Sequence, residues 1–419
     1  MLRRLPHPSS LLMLLWPRRT GDNVVDNTRV LYADVLWSSL LTGIIQTFTA
    51  VYLLRIGGTA LQVGLLVSLP AIGGTLLSLR AANFVRRHHS DIRLVVIPPF
   101  YWRLGYALLV IVPFFPHSVE GWIFITIIFL GSFPTVISNI AIVSQIAEAI
   151  PPDKRAEVLS WRNTLAGLST TLSAFLGGIV LSFMPVPFNY QVVFVLAFAI
   201  SLIGLYHRHR LILPKDSDDT AKQQQLQSIR VIMKRPAFRR FMTGLIFYLA
   251  GLYLPQALFS IYLVKILRAA DDQIGLAATL GSLAATVSYP IWGRYMTQQR
   301  LRLLLALSCI GWGLFPALVS LTPNITIYIF VAIYANLFGS GVTTSIVQVL
   351  MGIGPSTERP TRVAIYNTLV GGAGVLLPTL GTALLRIIDI HIVLLIAATL
   401  RIFAGIIFAT IPQWQADKA

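Results

Sequence analysis

Apolar residues in this chain come in long, nearly unbroken runs. They do not form the alternating or 3.6-residue stripes of half-buried strands and surface helices. A helix needs about 20 such residues to cross the hydrocarbon of a bilayer. Runs of that length, separated by polar or Pro/Gly breaks, fall at about 31–55, 61–85, 93–115, 121–147, 160–184, 190–207, 238–265, 272–296, 300–321, 324–353, 361–386 and 390–412. The pattern predicts an all-α membrane protein with twelve transmembrane helices. Spans four and ten exceed the bilayer width and require tilt. The one long break carries Asp216-Ser217-Asp218-Asp219 and Lys222-Gln223-Gln224-Gln225 and separates the spans into two six-helix halves. Five segments result: a cytoplasmic basic arm at 1–29, an N-terminal half at 30–207, a cytoplasmic linker at 208–237, a C-terminal half at 238–412 and a tail at 413–419. The linker is expected to end in a basic helix resting on the membrane.

Composition supports a lipid solvent. Charged residues make up 12% of the chain and hydrophobic ones 55%, against roughly 25% charged in soluble domains. A net charge of +17 would suggest nucleic acid for a soluble protein. Here the basic residues lie between the apolar runs, so they are read as topology signals and lipid-headgroup contacts, with no nucleic-acid partner. With the N-terminus inside, 27 of the 33 Lys/Arg fall in inner segments and four in outer ones. That asymmetry holds to the last span and predicts both termini in the cytoplasm. The patch from Ser9 to Trp16 is too short and lacks the cleavage residues of a signal peptide. The lone cysteine, Cys309, excludes intrachain disulfides and Cys-based zinc clusters and reads as a small packing residue.

The halves carry traces of duplication. Gln62-Val63-Gly64-Leu65 opening span two matches Gln273-Ile274-Gly275-Leu276 opening span eight. Asn163-Thr164-Leu165 in span five matches Asn367-Thr368-Leu369 in span eleven, with Pro151, Arg155, Gly167 and Gly177 falling on Pro355, Arg359, Gly371 and Gly381. Parallel six-span repeats of this kind resemble the major facilitator superfamily. The loop after span two, Ala82-Asn83-Phe84-Val85-Arg86-Arg87-His88-His89, keeps the family's basic cluster without its glycine and aspartate. Its counterpart, Gly293 to Arg300, keeps the glycine and also lacks the aspartate. Span five holds only the closing Gly177-Gly178 of the family's antiporter motif, and span eleven holds Pro378 and Gly381. Pro151-Pro152-Asp153-Lys154-Arg155-Ala156-Glu157 is similar to the charged cap that the family places before span five. The resemblance implies a major facilitator fold, a secondary transporter and a cavity lined by spans one, four, seven and ten.

Polar residues within spans mark candidate chemistry. In span one, Asp34, Ser38, Thr42 and Gln46 recur every four residues, which places them on one helix face. Asn336, Ser340, Thr344 and Gln348 repeat that spacing in span ten. Span four offers Thr135, Ser138, Asn139 and Gln145. Span seven offers Tyr248, Tyr253, Gln256 and Ser260, with Gly251 and Pro255 able to loosen the helix. Two readings stand side by side: a polar substrate cavity, or ordinary side-chain bonding between packed helices. Asp34 is a candidate protonation site, or else reaches the cytoplasmic interface or pairs with Arg29. A charge at a span centre costs roughly 2.5–3.5 kcal/mol on insertion scales. Arg103 and Arg401, mid-span in three and twelve, are therefore expected to be partnered, structurally in preference to binding an anion. Gly43, Gly167, Gly251, Gly339 and Gly371 are candidate points of helix approach or flexing.

These features predict a transporter moving a small molecule by alternating access, as a monomer in the plasma membrane, with membrane lipids around it and protons a candidate coupling ion. No catalytic residue, cofactor or metal is implied. Two other classes compete. One is a non-transporting sensor or lipid-handling protein on the same scaffold. The other is a membrane-embedded transferase built on His88-His89-Ser90-Asp91, His207-Arg208-His209 or the Asp216–Asp219 cluster, which read better as solvated loop charge. No phosphate-cradling Gly-rich loop points to ATP-driven pumping.

Overall fold

The computed structural model describes residues 16–17, 19–88, 91–213, 232–296, 300–355 and 358–412. Among them there is no strand, and twelve apolar helical segments follow one another. Span one, Asn23–Arg55, begins eight residues before its predicted start, so part of the expected arm is helix. Asp22 sets that start by accepting from the amides of Val24 and Val25, two of the otherwise unpaired first-turn donors. Asn27 then pins the chain that follows span six, bonding both the amide and the carbonyl of Ile212 at 2.8 Å. Most of the predicted basic arm and linker, and the tail from 413, lie outside the described residues.

Proline shapes the irregular spans. Span three, Ile92–Phe114, is an α-helix over Ile97–Ala107 between two tighter 3-10 segments. Pro98 and Pro99 open its α-helical part and Pro113 lies in its closing turns. Span seven runs Pro236–Tyr253, breaks at Pro255, resumes over Gln256–Ile261 and ends in a π turn over Tyr262–Ile266. The predicted loosening at Gly251 and Pro255 is this break. A proline removes one helical hydrogen bond and crowds the preceding turn.

The helices cluster into two compact units, residues 1–56 with 76–220, and residues 57–75 with 221–419. In the first unit, span one packs on spans five and six, and span three on spans four and six. Small residues allow close approach: a Cβ on Gly43 would collide with the Thr170 carbonyl and Ser173, and one on Gly204 with Ser38. Stacked Tyr52 and Tyr190, 4.5 Å apart, fill one end of this unit with Phe124 and Phe194. In the second unit, span twelve packs on spans seven and nine, span ten on eight and nine, and span eleven on seven. Cys309 is buried in its core, as its apolar setting predicts. The first half of span two belongs here too, with Ser68 accepting from the Thr379 hydroxyl at 2.8 Å and a Cβ on Gly64 meeting Thr382. Of the candidate glycines, Gly251 and Gly339 also sit at close contacts, whereas Gly167 faces open space.

Candidate functional site

The first unit encloses a cavity of about 220 Å³ among spans one, three, four, five and six. Helical periodicity turns Ser38, Ser39 and Thr42 of span one toward it. Span four contributes Thr135, Ser138 and Asn139. The remaining polar wall is cationic, with Arg103 from span three, Arg162 from span five and Arg208 from span six.

Asp34 anchors the cluster from behind. It is fully buried, and one carboxylate oxygen accepts both Nε (3.0 Å) and a terminal nitrogen (2.8 Å) of Arg208. Its other oxygen accepts the Ser38 hydroxyl at 2.9 Å. Ser38 in turn accepts from Arg103 at 2.8 Å, and Arg103 also donates to the Pro99 carbonyl. The partner of Asp34 is therefore Arg208, not Arg29. The sequence reading placed Arg208 in a solvated loop because the apolar run stops at about 207. The helix instead continues to His209, and both His207 and Arg208 are buried. Arg162, near the predicted start of span five, is a wall residue inside the helix Pro152–Ser182. A buried lone carboxylate at position 34 is the one sequence signal that demanded such a partner.

Other candidates go elsewhere. Gln145 is fully buried and donates to the Asp91 carbonyl at the start of span three. Tyr248 lies in the core of the second unit beside Trp312. Asn336 donates to the Ala332 carbonyl in its own helix and lies against Gly281 of span eight. Ser340 and Thr344 bond back to carbonyls of their own helix. Gln46, Gln256 and Gln348 are exposed. Arg401 donates to the Gly251 carbonyl at 2.8 Å with its guanidinium 4.8 Å from the Trp312 ring.

A family model described as the Major Facilitator Superfamily matches residues 35–263 and again residues 241–413. The chain belongs to the Major Facilitator Superfamily. Solved structures of superfamily transporters share its fold. A mutant of the nucleoside transporter NupG aligns with TM-score 0.71 and 14% identity over 93% of this chain and 100% of its own. A bacterial homologue of the iron transporter ferroportin, inward-facing, aligns with TM-score 0.70 and 16% identity over 92% and 97%. A bacterial homologue of the human lysosomal transporter Spinster gives 0.64 and 13% over 95% and 100%. A search of curated proteins found no match. The protein is thus a multi-pass membrane transporter of this superfamily.

Proposed function

We propose that this superfamily member is a secondary transporter that moves a small polar molecule through the first unit's cavity by alternating access, in the cytoplasmic membrane, with both termini inside. The observation that carries the reading is the cavity itself. Nine polar or charged side chains from five membrane spans converge there. Lipid gives no reason to place them so, whereas a water-filled substrate path does. Membrane lipids and a monomeric state complete the reading, with no catalytic step. The cargoes named for the structural neighbours differ from one another, a nucleoside and iron, so shared fold alone does not set the cargo here.

The test is a melting screen of the detergent-purified protein against sugars, organic anions, amines, peptides and lipophilic cations. A ligand at about 100 times its Kd stabilises by roughly 2.7 kcal/mol. The ligand that stabilises is then assayed for saturable uptake into proteoliposomes. Uptake that fails in protein-containing vesicles, with binding intact, would turn the reading toward a sensor on the same scaffold.

A further inference from the structure

The charge balance of the cavity is uneven. Three guanidiniums face it, from Arg103, Arg162 and Arg208, and the lining residues include no carboxylate. Among the described residues, Asp34 behind the wall is the one carboxylate bonded to the cluster, and Arg208 takes it with two hydrogen bonds. Arg103 is 2% exposed, and its partners are a hydroxyl, a carbonyl and the Trp102 ring 5.7 Å away, all uncharged, with its Nε buried and unbonded. Arg162 also has a buried, unbonded Nε and makes no close ion pair among the described residues. One carboxylate, Asp34, is thus shared by three guanidiniums, which leaves a net positive charge among spans where unneutralised charge is costly. Arg401, which has carbonyl oxygens and an indole face as partners, does not line this cavity.

From this imbalance we infer that the cargo is a small oxyanion, a carboxylate or phosphate compound, held by Arg103 and Arg162 with Ser38, Thr42 and Asn139 as neutral hydrogen-bonding neighbours. Arginine presents paired N–H donors that match the two oxygens of a carboxylate or phosphate. A divalent cation or an amine would meet this net positive charge and be repelled. A neutral solute would leave it uncompensated. The cavity of about 220 Å³ lies below the usual 300–1,000 Å³ of drug-sized sites, which limits the cargo to a compact anion. The inference rests on the transport reading and names its substrate class.

The experiment is thermal unfolding of the full chain in detergent with succinate, inorganic phosphate, glucose 6-phosphate, glucose, uridine, putrescine or Mn²⁺ at fixed ionic strength. At least one of the three anions should raise the melting temperature by ~2 °C or more, and the four others should not. Succinate acting alone marks a carboxylate site, and phosphate or its ester acting alone marks a phosphate site. The shift should vanish in Arg162→Met and in Arg103→Met while surviving in Arg401→Met. Without ligand, Arg162→Met should melt no lower than the parent, because it relieves uncompensated charge. Absence of a shift with all three anions overturns the inference. So does a shift from a neutral or cationic solute that persists in Arg162→Met, although that result would leave the transport reading standing. Anion binding without anion uptake into proteoliposomes would instead sink transport and keep the site.

Discussion

At the scale of single residues, the Asp34–Arg208 pair and Arg401 carry opposite expectations. Both Asp34 and Arg208 are buried and bonded at 2.8 Å. Removing one partner of such a pair leaves the other charge buried alone, which typically costs about 3–5 kcal/mol. Asp34→Asn should therefore lower the melting temperature sharply, and Arg208→Met should too. The double replacement Asp34→Leu with Arg208→Met should recover much of the loss, since an apolar pair needs no counter-charge. If Asp34→Asn left stability intact while abolishing flux, Asp34 would be a proton-handling group instead of a structural anion. Arg401→Met should cost about 1.5–3 kcal/mol, the usual worth of hydrogen bonds to a charged group, yet leave substrate affinity unchanged, as binding isotherms on the variant would show.

At the scale of helices, close packing at small residues gives the next expectation. Gly43 lies against the Thr170 carbonyl and Ser173 of span five, so Gly43→Val should force spans one and five apart. Overpacking of this kind costs about 1–3 kcal/mol, and thermal melts should fall accordingly. Gly167 has no atom within 4 Å of a Cβ position, so Gly167→Ala should be neutral or stabilising by up to about 1 kcal/mol, since alanine is the better helix former. How much of this was legible in the sequence follows from what sets each feature. Helix number and approximate span positions were legible because hydrocarbon thickness imposes a run length on any span. Ends moved where a polar cap, such as Asp22, or a buried cation, such as Arg208, extends a helix beyond its apolar run. The span-one stripe predicted Ser38 and Thr42 correctly as one face, because periodicity fixes faces. It could not assign Arg103, Arg162 and Arg208 to the same cavity, because that depends on which helices become neighbours. In span ten the identical stripe lies partly against span eight and partly on the exposed face, since equal spacing does not impose equal surroundings.

At the scale of the whole molecule, the division of the chain makes a mechanical claim. Residues 57–75 come from the first six spans by sequence, yet they cluster with 221–419. The contact that ties them there is tight: Ser68 is 2% exposed and bonds both the hydroxyl and the amide of Thr379. Pro70 lies two residues further on, where the helix Ala60–Arg87 lacks one backbone donor, and Gly73 and Gly74 follow. A helix weakened there can let its first half bind one partner while its second half follows another. If the six-span repeats move as bodies during transport, the Ser68–Thr379 contact has to open and close in every cycle. A disulfide placed there should then arrest the protein. Ser68→Cys combined with Thr379→Cys is suited to the test because the only native thiol, Cys309, is buried and remote from oxidant. Oxidation of the double variant in proteoliposomes should stop flux at least ~10-fold, reduction should restore it, and either single variant should be indifferent. Flux that continues through a fully crosslinked sample, as judged by thiol labelling, would mean that span two stays with span eleven throughout. The moving parts would then be the two compact units as they stand and not the two sequence repeats.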